Sequence, residues 1–534
     1  MWERELIDDP DRDFLLDGVV NGFQLLPADA KLCPAEMDNY NSAISPSSKE
    51  KVEATILEEL EAGNYIISPE KPVIVSALGA VPKPDSEDLR LIHDCSMPPG
   101  LGVNSYIDIE KQSFQTLDDA CRLIGKDFFI AKIDLRHAYR SVPVHPANRE
   151  ALGLKWKFKG DKHFTYFKDT RLPFGARSAP GIFHRLTQSA RRMMQRKGFP
   201  LIIVYLDDFL IIGRTRQECQ AAFDALHSLL IALGFTISPS KVVPPCQKLV
   251  FLGVEIDTIA LTISLPSKKL GELKDILLSF NSRTRASKRQ LQQLAGRLNW
   301  ACKVIYGGRT FLRRILDLMG SLQKQSSKCL LSEEFFKDIS WWLDFLEIFN
   351  GQCAFHDTRP VTSLHTDACS TGIGAVFERD WFYSNLLVDA PALAGLHINY
   401  KEALCIVFAL ERWAPFLKDK VVHIHCDNTA AVGMLNKGST RSPLMMTYLR
   451  RLFWCSATFN FRLKVFHVPG ALNVAADHVS RLHEHSHLVA FLHLQIDIWG
   501  PSAVSDSLVW HMSESCFHFL LGWYGSGSFL HYAF

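Results

Sequence analysis

The stretch Leu201-Ile-Ile-Val-Tyr-Leu-Asp-Asp-Phe-Leu-Ile-Ile-Gly213 decides the reading of this chain. Two apolar runs flank Tyr205-Leu206-Asp207-Asp208, a pattern that predicts a β-hairpin with two carboxylates at its tip. Adjacent like charges repel, and a half-buried pair is costly unless a cation neutralises it. Taken alone, a solvated acidic turn fits the same letters. A second apolar run, Phe128-Phe-Ile-Ala-Lys-Ile-Asp134, is predicted as a strand that delivers another aspartate at its end. Three carboxylates at strand ends can hold two Mg²⁺ (or Mn²⁺) ions roughly 4 Å apart for in-line phosphoryl transfer.

Working outward, Asp134-Leu-Arg-His-Ala-Tyr139, Leu172-Pro-Phe-Gly175, Tyr205-Leu-Asp-Asp208, Gly234-Phe-Thr-Ile-Ser-Pro-Ser-Lys241 and Phe251-Leu-Gly253 follow in order. In that order and spacing, the stretch from about Pro72 to Gly253 resembles reverse transcriptases. The resemblance implies that Asp134, Asp207 and Asp208 are metal ligands, Asp208 the least directly bound. It implies a fingers hairpin in which Lys83 and Arg90 clamp the phosphates of an incoming deoxynucleoside triphosphate. Tyr139 corresponds to the aromatic beneath the nucleotide sugar, and Phe174 and Lys241 join the nucleotide-binding set. Phe174 stands where retroviral enzymes carry glutamine, as in relatives from LTR elements. His137 replaces a frequent acid that is not a metal ligand in the family.

Beyond the hairpin the chain changes character. Residues 266–330 hold 14 bases against 3 acids, whereas residues 1–70 hold 16 acids against 5 bases. The overall net charge of +2 conceals both. In Ser287-Lys-Arg-Gln-Leu-Gln-Gln-Leu-Ala-Gly-Arg-Leu-Asn-Trp300, helical spacing puts Leu291, Leu294, Ala295 and Leu298 on one face. Lys288, Arg289 and Arg297 lie elsewhere, and Arg309, Arg313 and Arg314 follow. A charge run is usually a solvated face; this one-sided excess favours contact with a phosphate backbone. Its position after the palm suggests a thumb that grips template and primer with little dependence on sequence.

A second set of acids follows. Leu364-His-Thr-Asp367, Glu402 in a helical stretch from Asn399 to Leu410, Val421-Val-His-Ile-His-Cys-Asp427, and Asp477 ten residues after His467 lie at the ends of alternating strands and helices. Four acids so placed argue for a two-metal nuclease. From about Ser363 to Leu482 the set resembles RNase H, which implies that Asp367, Glu402, Asp427 and Asp477 are metal ligands. His467 is then the mobile acid or base, since imidazole titrates near neutrality; the alternative is a structural histidine capped by Asn473. His483, His485 and His487 form a cluster able to bind metal but without a cysteine pair, and are read as tail.

The composition bounds the rest. At 534 residues, about 150 per domain predicts three to four domains, and 47% hydrophobic with 22% charged residues excludes a disordered or fibrous chain. Thirteen scattered cysteines without a CxxC pair argue against a disulfide framework. With no apolar signal core or membrane span, an intracellular protein, cytoplasmic or nuclear and not secreted, is expected.

The fold expected is α+β and multidomain: a right-hand polymerase of fingers, palm and thumb, then an α/β RNase H-like domain. The divisions are an acidic, loosely packed extension at 1–65, fingers and palm at 66–265, a basic helical thumb or connection at 266–350, the RNase H-like domain at 360–485, and an unassigned tail at 486–534. The implied function is RNA-directed DNA polymerase with RNase H activity, with two divalent ions per site. Its partners are RNA template, DNA primer, RNA–DNA hybrid and deoxynucleoside triphosphates. An RNA-dependent RNA polymerase and a domesticated, inactive nucleic-acid-binding protein are the alternatives. Leu78-Gly-Ala-Val-Pro-Lys-Pro, Arg90-Leu-Ile-His-Asp-Cys-Ser-Met-Pro-Pro-Gly, Gly296-Arg-Leu-Asn-Trp and Arg309-Thr-Phe-Leu-Arg-Arg314 are similar to DIRS-type, tyrosine-recombinase retrotransposons.

Overall fold

The computed structural model describes residues 1–499 apart from 83–87, 109–111, 350 and 356. The chain divides into two compact units, Met1–Ile263 and a second that begins at Ser264.

The first unit is built on a four-stranded antiparallel sheet in the order Val243–Cys246, Phe129–Asp134, Asp208–Gly213, Ile202–Tyr205. Ile130, Ala131, Ile133, Phe209, Leu210, Ile211 and Ile202 are all but fully buried. The long helices Ala179–Arg196 and Arg216–Ala232 supply the apolar residues that cover the sheet. Such strands read as near-continuous apolar runs because both faces are covered, not one. The hairpin of Lys248–Phe251 with Val254–Asp257 turns through Leu252 and Gly253, whose φ values of 48° and 80° give the two-residue left-handed turn that suits strand twist. A second sheet has the order Ala35–Glu36, Ile74–Val75, Gly153–Trp156, Thr165–Asp169, Tyr65–Ser68. Beside it, Ala77–Pro82 pairs antiparallel with Leu89–Asp94.

The acidic start corrects the expectation of a loose extension. Leu6, Leu15, Phe23, Leu25 and Leu26 are buried in the main core. Asp9 meets Arg192 at 2.6 Å, and Asp11 meets Arg185 at 2.6 Å. The arginine side chains hold the Asp9 carboxyl below its usual range against the opposing cost of burial. These acids face the basic side of the helix Ala179–Arg196, so their charge marks an internal interface.

In the second unit the helices Ser267–Asn281, Lys288–Ala301, Arg313–Gly320 and Glu333–Ile348 precede a five-stranded sheet. A capping box between Ser287 and Gln290 starts the second helix, whose buried residues include Leu291, Leu294, Ala295 and Leu298. The sheet order is Asp380–Asn385, Gly372–Phe377, Val361–Ala368, Val421–Cys426, Arg462–His467, antiparallel among the first three strands and parallel thereafter. The helix Ile398–Leu417 packs Leu404, Val407 and Leu410 into its core.

The segment read as aperiodic tail begins with a helix, His485–Trp499, whose Phe491 is buried with Val376 and Val479. The expected tail after about residue 496 lies, beyond 499, outside the described residues. Among the described residues no helix is long and apolar enough to cross a membrane, and the cysteines are free thiols.

Candidate active sites

In the first unit, Asp208 pairs with Tyr205 on one side and with Asp134 on the other. This leaves Leu206 and Asp207 as the two-residue turn, Leu206 with φ of 54°. The Asp207 carbonyl accepts from the Leu135 amide at 3.0 Å, and the Asp134 carbonyl accepts from Ser238 at 2.9 Å, so backbone bonds fix all three acids. Asp134 is buried, 4% exposed. Burial raises the carboxyls of Asp134 and Asp207 above their ordinary values, and the neighbouring acids push the same way. Lys241 Nζ lies 3.1 Å from Asp134 Oδ1 and 3.2 Å from its Oδ2, while Lys132 Nζ lies 2.8 Å from Asp208 Oδ1. Lysine ammoniums thus stand where converging carboxylates demand cations. This donor set fits hard divalent ions, which prefer carboxylate oxygen.

Tyr139 lies in a short 3-10 turn five residues after Asp134. Its ring packs 5.1 Å from Phe174 and 5.3 Å from Phe183, and burial with the Asp207 charge pushes its hydroxyl up to about 12. Phe174 is 44% exposed, and the Arg90 guanidinium lies 5.8 Å from its ring centre. A Cβ on Gly175 would fall 1.9 Å from the His93 carbonyl, so glycine lets this turn press against the strand that carries Arg90. The structure therefore brings Arg90, Phe174, Tyr139 and the acids into one contiguous cluster. Lys241, expected at the nucleotide, is instead bound to Asp134. Lys83 lies outside the described residues.

In the second unit, Asp367 and Glu402 are 3% and 2% exposed. Ser480 donates to Asp367 Oδ2 at 2.6 Å, and the Ala368 amide donates to Glu402 Oε1 at 3.2 Å. Ligand atoms of Glu402, Cys426 and Asp427 lie within 4.8 Å of one another. Burial, then the charges of Asp367 and Asp427, push Glu402 up to about 9, and burial pushes Asp367 to about 6. Among the described residues, no lysine or arginine forms an ion pair with Glu402 or Asp427. Buried, mutually repelling oxygens without a protein cation are the donor set that divalent ions complete. Asp477 is engaged by Arg481 at 3.0 Å.

His467 is exposed at the end of its strand, opposite Cys426, and the loop that follows brings Gly470 against Asp427. Asn473 does not cap it. It donates to the Thr366 carbonyl at 2.9 Å and meets His365 Nδ1 at 3.2 Å, because its buried amide faces the strand Val361–Ala368.

The basic residues fall into two groups. Arg289, Arg297 and Arg309 are exposed. Arg314 is held by Asp338 at 2.6 Å and by Glu334, and Arg313 by Asp317. The expectation that Arg313 and Arg314 face nucleic acid is thus corrected: carboxylates four or more residues away within the same helical unit already neutralise them. Lys288 is turned inward, its Nζ donating to the Leu322 carbonyl at 2.7 Å.

Sequence reasoning missed Lys132, Ser480 and Arg481. Lys132 shares a strand face with Asp134, and Ser480 and Arg481 follow Asp477 by three and four residues, at the last position of its helix and at its C-cap. Those spacings are the signals that could have found them.

Comparison with known proteins agrees with this geometry. Residues 80–256 match the family model for reverse transcriptase (RNA-dependent DNA polymerase), and residues 357–452 match that for the RNase H-like domain found in reverse transcriptase. The Petunia vein clearing virus genome polyprotein is 22% identical over 68% of this chain and 16% of its own length. The Pol polyprotein from transposon gypsy of Drosophila melanogaster is 23% identical over 70% of this chain and 36% of its own. The putative enzymatic polyprotein of Cassava vein mosaic virus is 21% identical over 59% of this chain and 48% of its own. The chain thus spans less than half the length of each. Among solved structures, a foamy viral protease-reverse transcriptase in complex with RNA/DNA hybrid superposes with a TM-score of 0.52 at 16% identity, over 83% of this chain and 56% of that one. The same enzyme in complex with dsDNA gives 0.51 at 17% identity, over 83% and 86%. The chain carries a reverse transcriptase domain followed by an RNase H-like domain.

Proposed function

We propose that this chain is the replicase of a retroelement, an RNA-directed DNA polymerase that also cleaves the RNA strand of its hybrid product. The observation that carries the reading is that two separate acidic clusters occur in one chain. Asp134, Asp207 and Asp208 meet in the first unit, and Glu402, Cys426 and Asp427 draw together beside Asp367 in the second.

In the first unit, Asp134, Asp207 and Asp208 would hold divalent ions that activate a primer 3′-hydroxyl and stabilise charge on the transferring phosphoryl group. Lys241, which pairs with Asp134 in the structure, would give up that pair to the ions and offer its ammonium to the nucleotide phosphates. Arg90 and Lys83 take those phosphates as well. Tyr139, braced by Phe174 and Phe183, bears on the sugar. In the second unit, Asp367, Glu402, Asp427 and Asp477 would hold the ions that activate water against an RNA phosphodiester. Exposed His467 holds or moves a proton at the rim. Arg289, Arg297 and Arg309 contact the phosphate backbone of primer and template, a role that needs no base-reading group. The similarity to DIRS-type elements in the Arg90–Gly100 and Gly296–Trp300 stretches supports that subclass within retroelements.

Primer extension on an RNA template, with cleavage of the labelled RNA strand read on the same gel, tests the reading. Extension with deoxynucleotides and RNA cleavage, both dependent on Mg²⁺ or Mn²⁺, is the expected result. Extension with ribonucleotides alone favours an RNA-dependent RNA polymerase, and binding without turnover favours an inactive scaffold.

A further inference from the structure

The histidines at the start of the last described helix have no place in either reaction, yet they are not loose tail. His478, on the helix Val474–Ser480, and His487, on the helix His485–Trp499, turn ring nitrogens toward each other, Nδ1 to Nδ1 at 3.0 Å. Two imidazole nitrogens at that distance repel as lone pairs unless one carries a proton or a cation lies between them. Asp477 Oδ2 lies 3.8 Å from the same His487 nitrogen, and ligand atoms of all three residues fall within 4.8 Å of one another. A tetrahedral Zn²⁺ with bonds of about 2.0–2.1 Å to nitrogen sets its ligand nitrogens about 3.3 Å apart, so a shift of a few tenths of an ångström makes the pair a ligand pair. Glu484 closes the other side, its Oε2 3.7 Å from His487 Nε2, where it orients the ring as outer carboxylates do at metal-bound histidines. All three candidate ligands are partly exposed, so an ion can enter from solvent.

We infer that Asp477, His478 and His487 form a transition-metal site, with Zn²⁺ as its occupant, that ties the helix His485–Trp499 to the neighbouring helix through the carboxylate of Asp477. Two imidazoles and one carboxylate suit zinc and disfavour Mg²⁺, which demands oxygen ligands and octahedral geometry. Binding is simple coordination and releases any proton that the histidine pair holds. On the reading of Asp477 as a nuclease ligand, the site has a consequence. The same carboxylate cannot serve zinc and the Mg²⁺ pair with full charge, so zinc occupancy represses RNA cleavage while DNA synthesis continues.

The test uses the full chain without affinity histidines, with excess Mg²⁺ to fill oxygen-ligand sites, titrated with Co²⁺ as a spectroscopic substitute for zinc. The expected result is one equivalent of Co²⁺ with the intense visible bands of a tetrahedral nitrogen-containing site, displaced by Zn²⁺. His478→Gln and His487→Gln should each weaken binding at least about tenfold, while His425→Gln, at a histidine remote in sequence, leaves it unchanged. Zn²⁺ should also raise the melting temperature of the wild-type chain and not that of the double variant. Weak octahedral bands only, or bands indifferent to both substitutions, overturn the site. Tetrahedral bands lost in both variants, with RNA cleavage insensitive to Zn²⁺ and to Asp477→Asn, would keep the metal site and remove Asp477 from the nuclease.

Discussion

Asp208 faces Asp134 directly across the antiparallel ladder that joins their strands, and each carboxylate is held by its own lysine, Lys132 at 2.8 Å and Lys241 at 3.1 Å. The two lysines are unequal. The Lys132 side chain is 16% exposed and that of Lys241 is 60% exposed. Lys132 is packed in the sheet as a standing counter-charge, whereas Lys241 stands on a surface turn from which it can withdraw. On the proposed reading, the exposed Lys241 is the counter-charge that gives way to metal and nucleotide, and the packed Lys132 is the one that stays.

The pairing of Tyr139 with Phe174 predicts sugar selectivity. The 2′-hydroxyl is the chemical difference between the two nucleotide classes, and a ring braced at 5.1 Å by Phe174 has little room to yield to it. Tyr139→Val should relieve the clash by roughly 1–3 kcal/mol. Ribonucleotide use should then rise about ten- to a hundredfold relative to deoxynucleotides, read by single-nucleotide incorporation. Template affinity should hardly change. An unaltered ratio would return Tyr139 to a packing role.

The ion pairs of the basic helices separate binding from stability. Substituting Arg289, Arg297 and Arg309 together with glutamine should weaken primer–template binding at every sequence and lower the salt slope by up to about three units. Arg314→Gln should leave that slope unchanged. It should instead lower the melting temperature, because it strips the buried Asp338 carboxylate of its nearest cation. Equal salt slopes in both variants would contradict the division.

The acids of the second cluster predict an unusual pH dependence. Glu402 has its carboxyl raised from an ordinary 4.5 to about 9, so the folded state keeps a proton that the unfolded chain releases. Above pH 4.5 the folded state binds more protons than the unfolded, and stability falls as pH rises toward 9. In chelator, the melting temperature should therefore drop across that window, and Glu402→Gln should flatten the drop while abolishing RNA cleavage. Added Mg²⁺ should stabilise wild type most at the alkaline end. A Glu402→Gln chain with the wild-type slope would show that the carboxyl is not held protonated.

The site of the first sheet was legible because two of its apolar strands meet the turn that carries the acids, Phe129–Asp134 ending on one and Asp208–Gly213 beginning on another. In the RNase H-like sheet the strands Val361–Ala368 and Val421–Cys426 likewise carry Asp367 and Asp427 at their ends. The acidic start was misread because net charge does not show what faces it: Asp9 and Asp11 are half of an interface whose other half, Arg185 and Arg192, lies far along the sequence. The helix His485–Trp499 escaped because its apolar residues run nearly all round and leave no polar face to give a period. Arg309 and Arg314 are alike in sequence, and the ion pairs of Arg314 with the remote Asp338 and Glu334 are what no local spacing reveals.

On the proposed function, one chain holds two independent metal-dependent sites. The most direct measurement is a single gel that reports DNA synthesis and RNA-strand cleavage for two folded variants, Asp207→Asn with Asp208→Asn, and Asp427→Asn. The first should lose synthesis and keep cleavage, and the second should do the reverse, since each cluster would assemble its own ions. Loss of both activities in either variant, with its fold intact by melting temperature, would contradict it.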